Sequence, residues 1–408
     1  MSDPVAGGTF IEVGHYQLCK YNQGAPGDAF LSRKHDSDGR VITVLSDGLG
    51  SGIKAGVLST LTATMAMQFI FSDIPIKRAA NIIMNTLPVC KERGISYATF
   101  TLVDIEPNSA VRIMEYDNPG YVLVRQKTVV EPIKQCTIIE RKNKKTAPTR
   151  EALLYYSDYR ARPGDRLVFF SDGVTQSGMG TKAFPLGWGA ERVQDFILER
   201  IIQNPEISAR ELAHSVVQEA HLHDAYCAKD DITCAVIYFR HPRDLLILTG
   251  PPVNPEHDDE MARDFNAFCG RKIVCGGTTA NIISHKLGKP LKLILKDIDP
   301  QIPPMSQMDG TDLVTEGIIT LGRVSELLEQ GVLNAGNIPE QVHENGATRI
   351  IELLLDSDRI TFMVGTKINE AHQDPNMPVE LDIRRNVVKK IQTLLTEQYL
   401  KEVSIRYV

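Results

Sequence analysis

Four short aspartate motifs lie in the first 240 residues of this 408-residue chain. They are Pro26-Gly27-Asp28-Ala29-Phe30, Leu45-Ser46-Asp47-Gly48-Leu49-Gly50-Ser51-Gly52, Ser171-Asp172-Gly173-Val174 and Asp230-Asp231-Ile232-Thr233. Each sets a short carboxylate where an apolar segment meets a turn, and such ends can converge at one edge of a sheet. Clustered carboxylates repel one another unless a cation or protons offset the charge. Hard oxygen donors with no Cys or His among them suit Mg²⁺ or Mn²⁺ rather than zinc. A lone Asp-Gly is a turn signal, but four such motifs beside apolar strands weaken that simpler reading. A second set, Cys275-Gly276-Gly277-Thr278-Thr279-Ala280-Asn281, falls between a strand-like and a helix-like stretch. Amides and hydroxyls at a helix start can hold an anion such as a phosphate, a nucleotide or a phosphorylated side chain. A tight turn with a threonine cap would have the same sequence. It is no Walker loop, because Gly-x4-Gly-Lys-Ser/Thr is absent.

The elements that must position these residues follow from hydrophobic patterning. Residues 41–46 (VITVLS) read as a buried strand, followed by a long helix to about residue 72 and a second over 76–92. Strands are expected over 97–105, 110–116, 121–125 and 165–171, with a weaker one over 132–141. Helices are expected over 189–203 and from Ser208, where Ser208 and Glu211 have capping-box spacing. A final strand at 232–239 precedes a polar break at 240–244. Beyond it the pattern alternates: strands at 245–249, 272–275, 291–295 and 359–364, and helices from Asn254-Pro255, after Thr279, and near 323–330, 339–355 and 379–397. Alternation of this kind predicts a separate α/β domain. The expected division is 1–241 and 245–408.

Composition narrows the class. With 45 Lys and Arg against 51 Asp and Glu, the net charge of −6 disfavours nucleic acid as a partner. The seven cysteines form no Cys-x-x-Cys pair and an odd set, which reads as reduced thiols in a cytoplasmic protein without a zinc site. The N-terminus has no basic region followed by an apolar run. Residues 55–72 are uncharged and nearly long enough to span a bilayer. Their Ser, Thr and Gln content favours a helix buried in a globular core, with no membrane partner. His221 and His223 read as a solvated helix end, and the basic run 141–145 as a solvated loop. Gly50-x-Gly52-x-x-Ala55 fits a loose dinucleotide pattern. Asp47 would repel a pyrophosphate there, a second helix follows where the next strand should stand, and no acid ends a following strand to take a ribose.

The ordered set Gly-Asp-Ala-Phe, Leu-Ser-Asp-Gly-Leu-Gly-Ser-Gly, Phe-Ser-Asp-Gly-Val and Asp-Asp-Ile-Thr resembles the metal-dependent protein phosphatase family, in its bacterial SpoIIE-like serine phosphatase branch. The resemblance covers about residues 10–240. It implies an α-β-β-α sandwich with two metal ions, Mn²⁺ or Mg²⁺, at one end between the sheets. By motif, Asp47 would bridge the ions, the Gly48 carbonyl and Asp28 would serve one, and Asp172 and Asp230 the other. Asp231 is the neighbouring alternative to Asp230. These residues would activate water for in-line attack on the phosphorus of a phosphoserine or phosphothreonine. Cys-x5-Arg spacing occurs once, from Cys234 to Arg240, but inside the run 232–239 read as a strand rather than in a loop after one, so it offers no nucleophile for a covalent route. Leu49 stands where some members have a histidine proposed as general acid. No phosphate-binding arginine is assigned; Arg33, near Asp28 in sequence, is no more than a guess at one. In the related branch the helices after Gly52 form a regulatory element, so residues 54–92 are either a switch or a plain core pair.

The expected architecture is thus α+β: an α-β-β-α phosphatase sandwich followed by a separate C-terminal α/β domain. The expected function is metal-dependent hydrolysis of a phosphorylated regulatory protein. The alternatives are a non-catalytic phosphatase-like sensor or scaffold, and a nucleotide- or phosphate-binding regulator acting through Gly276, Gly277, Thr278 and Thr279. The C-terminal half resembles no family. Neither oligomeric state nor the particular phosphoprotein is legible.

Overall fold

The computed structural model describes residues 9–35, 39–50, 52–86, 98–139, 152–294, 302–330, 345–367 and 380–408. They divide into two compact units, Thr9–His241 and Pro242–Val408. The basic run 141–145 and the end of the helix expected over 76–92 lie outside the described residues.

In the first unit the strands are β1 (Phe10–Leu18), β2 (Asp28–Lys34), β3 (Val41–Asp47), β4 (Phe100–Ile105), β5 (Ala110–Tyr116), β6 (Val122–Arg125), β7 (Thr128–Val130), β8 (Lys134–Ile139), β9 (Ala152–Arg160), β10 (Arg166–Phe170) and β11 (Ile232–Arg240). The helices are α1 (Ile53–Phe71), α2 (Ile76–Thr86), α3 (Asp172–Thr175), α4 (Ala190–Gln203) and α5 (Ala209–His223). A five-stranded sheet runs β1-β11-β10-β6-β7 and a six-stranded sheet runs β2-β3-β4-β5-β9-β8, every pairing antiparallel.

Period-two alternation explains why both sheets are buried on both faces. Val122, Val124, Val168, Phe170, Cys234 and Val236 pack with Val193, Ile197, Leu212 and Val216 of α4 and α5. Ile42, Val44, Phe100 and Leu102 pack with Ala63, Ala66 and Ile70 of α1 and with Ile83 of α2. The intervening residues, Leu167, Phe169, Ala235 and Ile237 in one sheet and Thr43, Leu45, Thr101 and Val103 in the other, are equally buried. They form the layer between the sheets, where the Phe30 and Phe169 rings stand 6.3 Å apart. The unit is therefore the α-β-β-α sandwich.

Local signals act as physics requires. Ser208 accepts from the Glu211 amide at 3.2 Å while Glu211 takes the Ser208 amide at 3.1 Å, the reciprocal cap that starts α5. Among the described residues α1 is the one helix long and apolar enough to cross a membrane by length and composition. It lies on the six-stranded sheet through Ala55, Ser59, Thr62, Ala63, Ala66, Met67 and Ile70. His223 departs from expectation: its ring packs 4.8 Å from Trp188 and 4.2 Å from Phe184 rather than standing in solvent. Of the six described cysteines, all are free and only Cys234 and Cys275 are buried.

The second unit contains β12 (Asp244–Thr249), α6 (Asp258–Ala267), β13 (Arg271–Cys275), α7 (Gly277–Leu287), β14 (Lys292–Leu293), β15 (Ser306–Gln307), β16 (Leu313–Thr315), α8 (Ile318–Glu329), α9 (Gly346–Leu355), β17 (Arg359–Val364), α10 (Glu380–Tyr399) and β18 (Glu402–Tyr407). Its seven-stranded sheet runs β14-β15-β16-β13-β12-β17-β18, parallel from β16 to β18. Helices α6 and α7 cover one face through Met261, Phe265, Ala280 and Ile283. Helices α8, α9 and α10 cover the other through Leu321, Val324, Ile350, Ile351, Val388 and Ile391. Asn254 precedes a single 3₁₀ turn, Pro255–His257, and its side chain caps nothing; α6 starts after it.

Candidate active site

Asp28 opens β2, Asp47 closes β3, and the antiparallel register sets them directly opposite each other. Asp47 shares a strand face with Thr43 and Leu45, the face turned to the other sheet. From that other sheet come the end of β10, which runs through Ser171 into α3 with Asp172 as its first residue, and the start of β11, preceded by Asp230 and Asp231. The end of β1 lies alongside, because Leu18 pairs with Ile232. One end of the sandwich thus gathers all four motifs.

Hydrogen bonds tie the two sheets together there. Thr233 Oγ1 donates to Asp28 Oδ2 at 2.6 Å, buried and across the gap between the sheets. The Ser171 hydroxyl donates to the Asp231 carbonyl at 3.4 Å and accepts the Thr233 amide at 3.1 Å. Gln176 Nε2 donates to Asp172 Oδ2 at 2.8 Å. Asp231 turns the other way: its Oδ1 accepts the Lys20 amide at 3.1 Å, and it is 4% exposed. Asp230 is more open, with Lys20 Nζ 3.9 Å from its Oδ1.

Electrostatics show how crowded the group is. Burial first, then the charges of Asp231 and Asp172, push the Asp28 carboxyl up to about 7 against the hydroxyl bonds that lower it. Burial and then Asp28, Asp172 and Asp230 push Asp47 up to about 10. Asp230 is raised by burial and by Asp172, with Lys20 opposing. Asp172 also raises Asp47, so the two carboxyls lie near each other. Ionised carboxylates so placed repel unless a proton or a cation stands between them. Asp28, Asp47, Asp172 and Asp230 are therefore brought together, whereas Asp231 feels Asp28 but serves the β1 end.

The side chains gathered at this end suit a hard divalent cation: they are carboxylates with no Cys or His among them, and they repel one another without one. Among the described residues no three His, Cys, Asp or Glu side chains close around a single point. Backbone carbonyls and water would complete any coordination. Packing requires glycine at 48: a Cβ there would stand 2.2 Å from the Ala55 carbonyl oxygen at the start of α1. Gly27 is as tight, 2.8 Å from Asp231 Oδ2. The first turns of α1 thus press directly on the loops that carry Asp28 and Asp47.

Thr233, Ser171 and Lys20 escaped the sequence reading as site residues. The first two stand inside the quoted motifs, but residue type alone does not reveal which way a hydroxyl points. Arg33 is excluded from the site: it is five residues along β2 from Asp28, roughly 16 Å away, and lies over the Phe71 ring. Gly276, Gly277, Thr278 and Thr279 lie in the second unit, between β13 and α7.

The family model for stage II sporulation protein E (SpoIIE) matches residues 37–240. Among solved structures, the phosphatase domain of the cell-fate determinant SpoIIE from Bacillus subtilis is 16% identical, with a TM-score of 0.41, over 58% of this chain and 95% of that one. The RsbU and RsbW domains of a Mycobacterium tuberculosis protein are 15% identical, with a TM-score of 0.45, over 64% and 68%. RsbX in complex with magnesium is 17% identical, with a TM-score of 0.38, over 56% and 95%. No curated protein matches the sequence.

Proposed function

The chain belongs to the stage II sporulation protein E (SpoIIE) family of metal-dependent protein phosphatases, and on that premise we propose that it hydrolyses phosphoserine or phosphothreonine on a regulatory protein in the cytoplasm. The supporting observation is the gathering of Asp28, Asp47, Asp172 and Asp230 at one end of the sandwich, with Asp28 opposite Asp47 in register and Asp47 raised by the other three. Asp47, together with Asp28, the Gly48 carbonyl, Asp172 and Asp230, would hold the divalent cations, Mn²⁺ or Mg²⁺. Asp230 is preferred over Asp231, because Asp230 faces Asp47 and Asp172 while Asp231 holds the Lys20 amide. Bound there, divalent cations supply Lewis acidity, acidifying water and neutralising phosphoryl oxygens.

The chain's own residues do the rest. Thr233 fixes the Asp28 carboxylate from the opposite sheet, so that its orientation is set before any ligand arrives. Gln176 does the same for Asp172. Lys20 at the rim is the cation placed to draw in a phosphorylated side chain. Residues 1–241 would form the phosphatase domain and 245–408 a separate domain that regulates it or binds a ligand.

Hydrolysis of a generic aryl phosphate tests the reading. Activity should require Mn²⁺ or Mg²⁺, vanish with chelator, and vanish in Asp47→Asn and Asp172→Asn. A well-folded, metal-replete chain with no activity toward any phosphoprotein would favour the sensor or scaffold reading.

A further inference from the structure

We propose that the second unit holds a phosphorylated small molecule by its phosphoryl group at the turn Gly276–Thr279, where β13 enters α7. The site belongs to the unit read above as regulatory or ligand-binding and rests on that reading, but not on phosphatase activity. The parallel strands run β16-β13-β12-β17-β18, with helices α6 and α7 on one face and α8 to α10 on the other. In sheets wound this way the helices change face at the first strand, here β12, and ligands settle outside the carboxyl ends of the strands near that point. β12 and β17 flank that point, and the turn stands one strand away from it, at the carboxyl end of β13, the other neighbour of β12.

The turn is built for close approach. Gly276 has φ +124°, a conformation that side chains resist, and a Cβ at Gly277 would meet nothing within 4 Å. The approach to the first amides of α7 is therefore unobstructed. Those amides have no partners within the helix, and the helix dipole favours negative charge at this end. Gly276, the residue before the helix, has no side chain with which to cap them.

An independent observation points to a ligand. Thr279 is 1% exposed, and its Oγ1 has no hydrogen-bond partner. That hydroxyl lies beneath Gly276, 3.5 Å from where a Cβ on the glycine would stand. Leaving a buried hydroxyl unsatisfied costs about 1–3 kcal/mol, so a valine would serve a purely structural role better. A phosphoryl oxygen seated in the turn supplies the missing acceptor. Of the charged groups nearby, the Glu316 carboxylate accepts the Ile319 amide at 3.2 Å and works against an anion in the turn. The buried Arg384 guanidinium lies at the carboxyl end of β12, against Gly250 and the Gly365 carbonyl.

The test uses the full chain in the Asp47→Asn background with chelator, so that the phosphatase site contributes nothing. Calorimetry and amide shifts at Gly276–Thr279 are read against inorganic phosphate, AMP and ADP. Binding of phosphate alone would identify a free-anion site; tighter binding of AMP or ADP would identify a nucleotide. Thr279→Val should keep or raise the melting temperature and weaken binding about tenfold. Gly277→Asp, which has room for its side chain and suits a helix start, should remain folded and lose binding. Absence of binding by all three probes, or equal binding by both folded variants, overturns the proposal. These outcomes are independent of whether the phosphatase reading stands.

Discussion

The bond from Thr233 Oγ1 to Asp28 Oδ2 offers the sharpest perturbation, because it joins the two sheets at the point where the carboxylates converge. Thr233→Val keeps shape and volume and removes one hydroxyl. The bond is 2.6 Å long and buried. A hydrogen bond to a charged group contributes about 1.5–3 kcal/mol, which corresponds to roughly a 10- to 150-fold effect at 1.36 kcal/mol per decade. The loss should fall on metal affinity and on turnover, since the hydroxyl orients Asp28 and touches no substrate. Titrating Mn²⁺ into an aryl phosphatase assay should show half-activation at a higher concentration and a lower plateau, while KM for the ester changes little. Thr233→Ser, which keeps the donor, should restore most of both. Wild-type Mn²⁺ dependence in a folded Thr233→Val protein would refute the claim that Asp28 is held for metal from the opposite sheet.

Three further outcomes are expected. In the metal-free protein Asp28 titrates near 7 rather than at its unfolded value. A carboxyl raised in this way favours the fold fully below about pH 4, and that contribution is lost as pH rises towards 7. Chemical denaturation with chelator should therefore show Asp28→Asn gaining on wild type by up to about 4 kcal/mol between pH 4 and 7, and saturating divalent cation should shrink the difference; a pH-independent difference would count against the buried carboxylate. Gly48→Ala should lower stability by about 1–3 kcal/mol through overpacking and abolish activity, because its Cβ would fall 2.2 Å from the Ala55 oxygen; thermal unfolding and the ester assay report both. Lys20→Met should raise KM for a phosphorylated peptide with kcat nearly unchanged and flatten the salt dependence of kcat/KM, whereas a drop confined to kcat would move Lys20 from the rim to the reaction itself.

Much of the site was legible because turn chemistry and metal chemistry demand the same residues. Asp47-Gly48 and Asp172-Gly173 follow the apolar runs of β3 and β10, so their place at strand ends could be read directly. Residues 110–116 and 359–364 coincide with β5 and β17 for the same reason. β1 was not read, since Glu12, His15 and Gln17 interrupt its apolar pattern. Long-range partners account for part of this: Glu12 pairs with Arg240 at 2.6 Å, 228 residues away, and His15 stacks on Phe30. β9 and the edge strand β18 were also missed; in β18 only Val403 and Ile405 are partly buried and the other four side chains are exposed, which leaves little hydrophobic signal to read. Lys20 and Thr233 gain meaning only from register. Leu18 opposite Ile232 carries Lys20 to Asp230, and alternation along β11 turns Thr233 inward. No local spacing encodes either placement.

The central claim is that Asp28, Asp47, Asp172 and Asp230, distant in sequence, jointly hold divalent cations. Anomalous diffraction from crystals grown with Mn²⁺ tests it most directly. The account predicts manganese between the ends of β2–β3 and β10–β11, in contact with Asp47 and lost in Asp47→Asn. Manganese bound elsewhere, with those four carboxylates left without metal in an active protein, would contradict it.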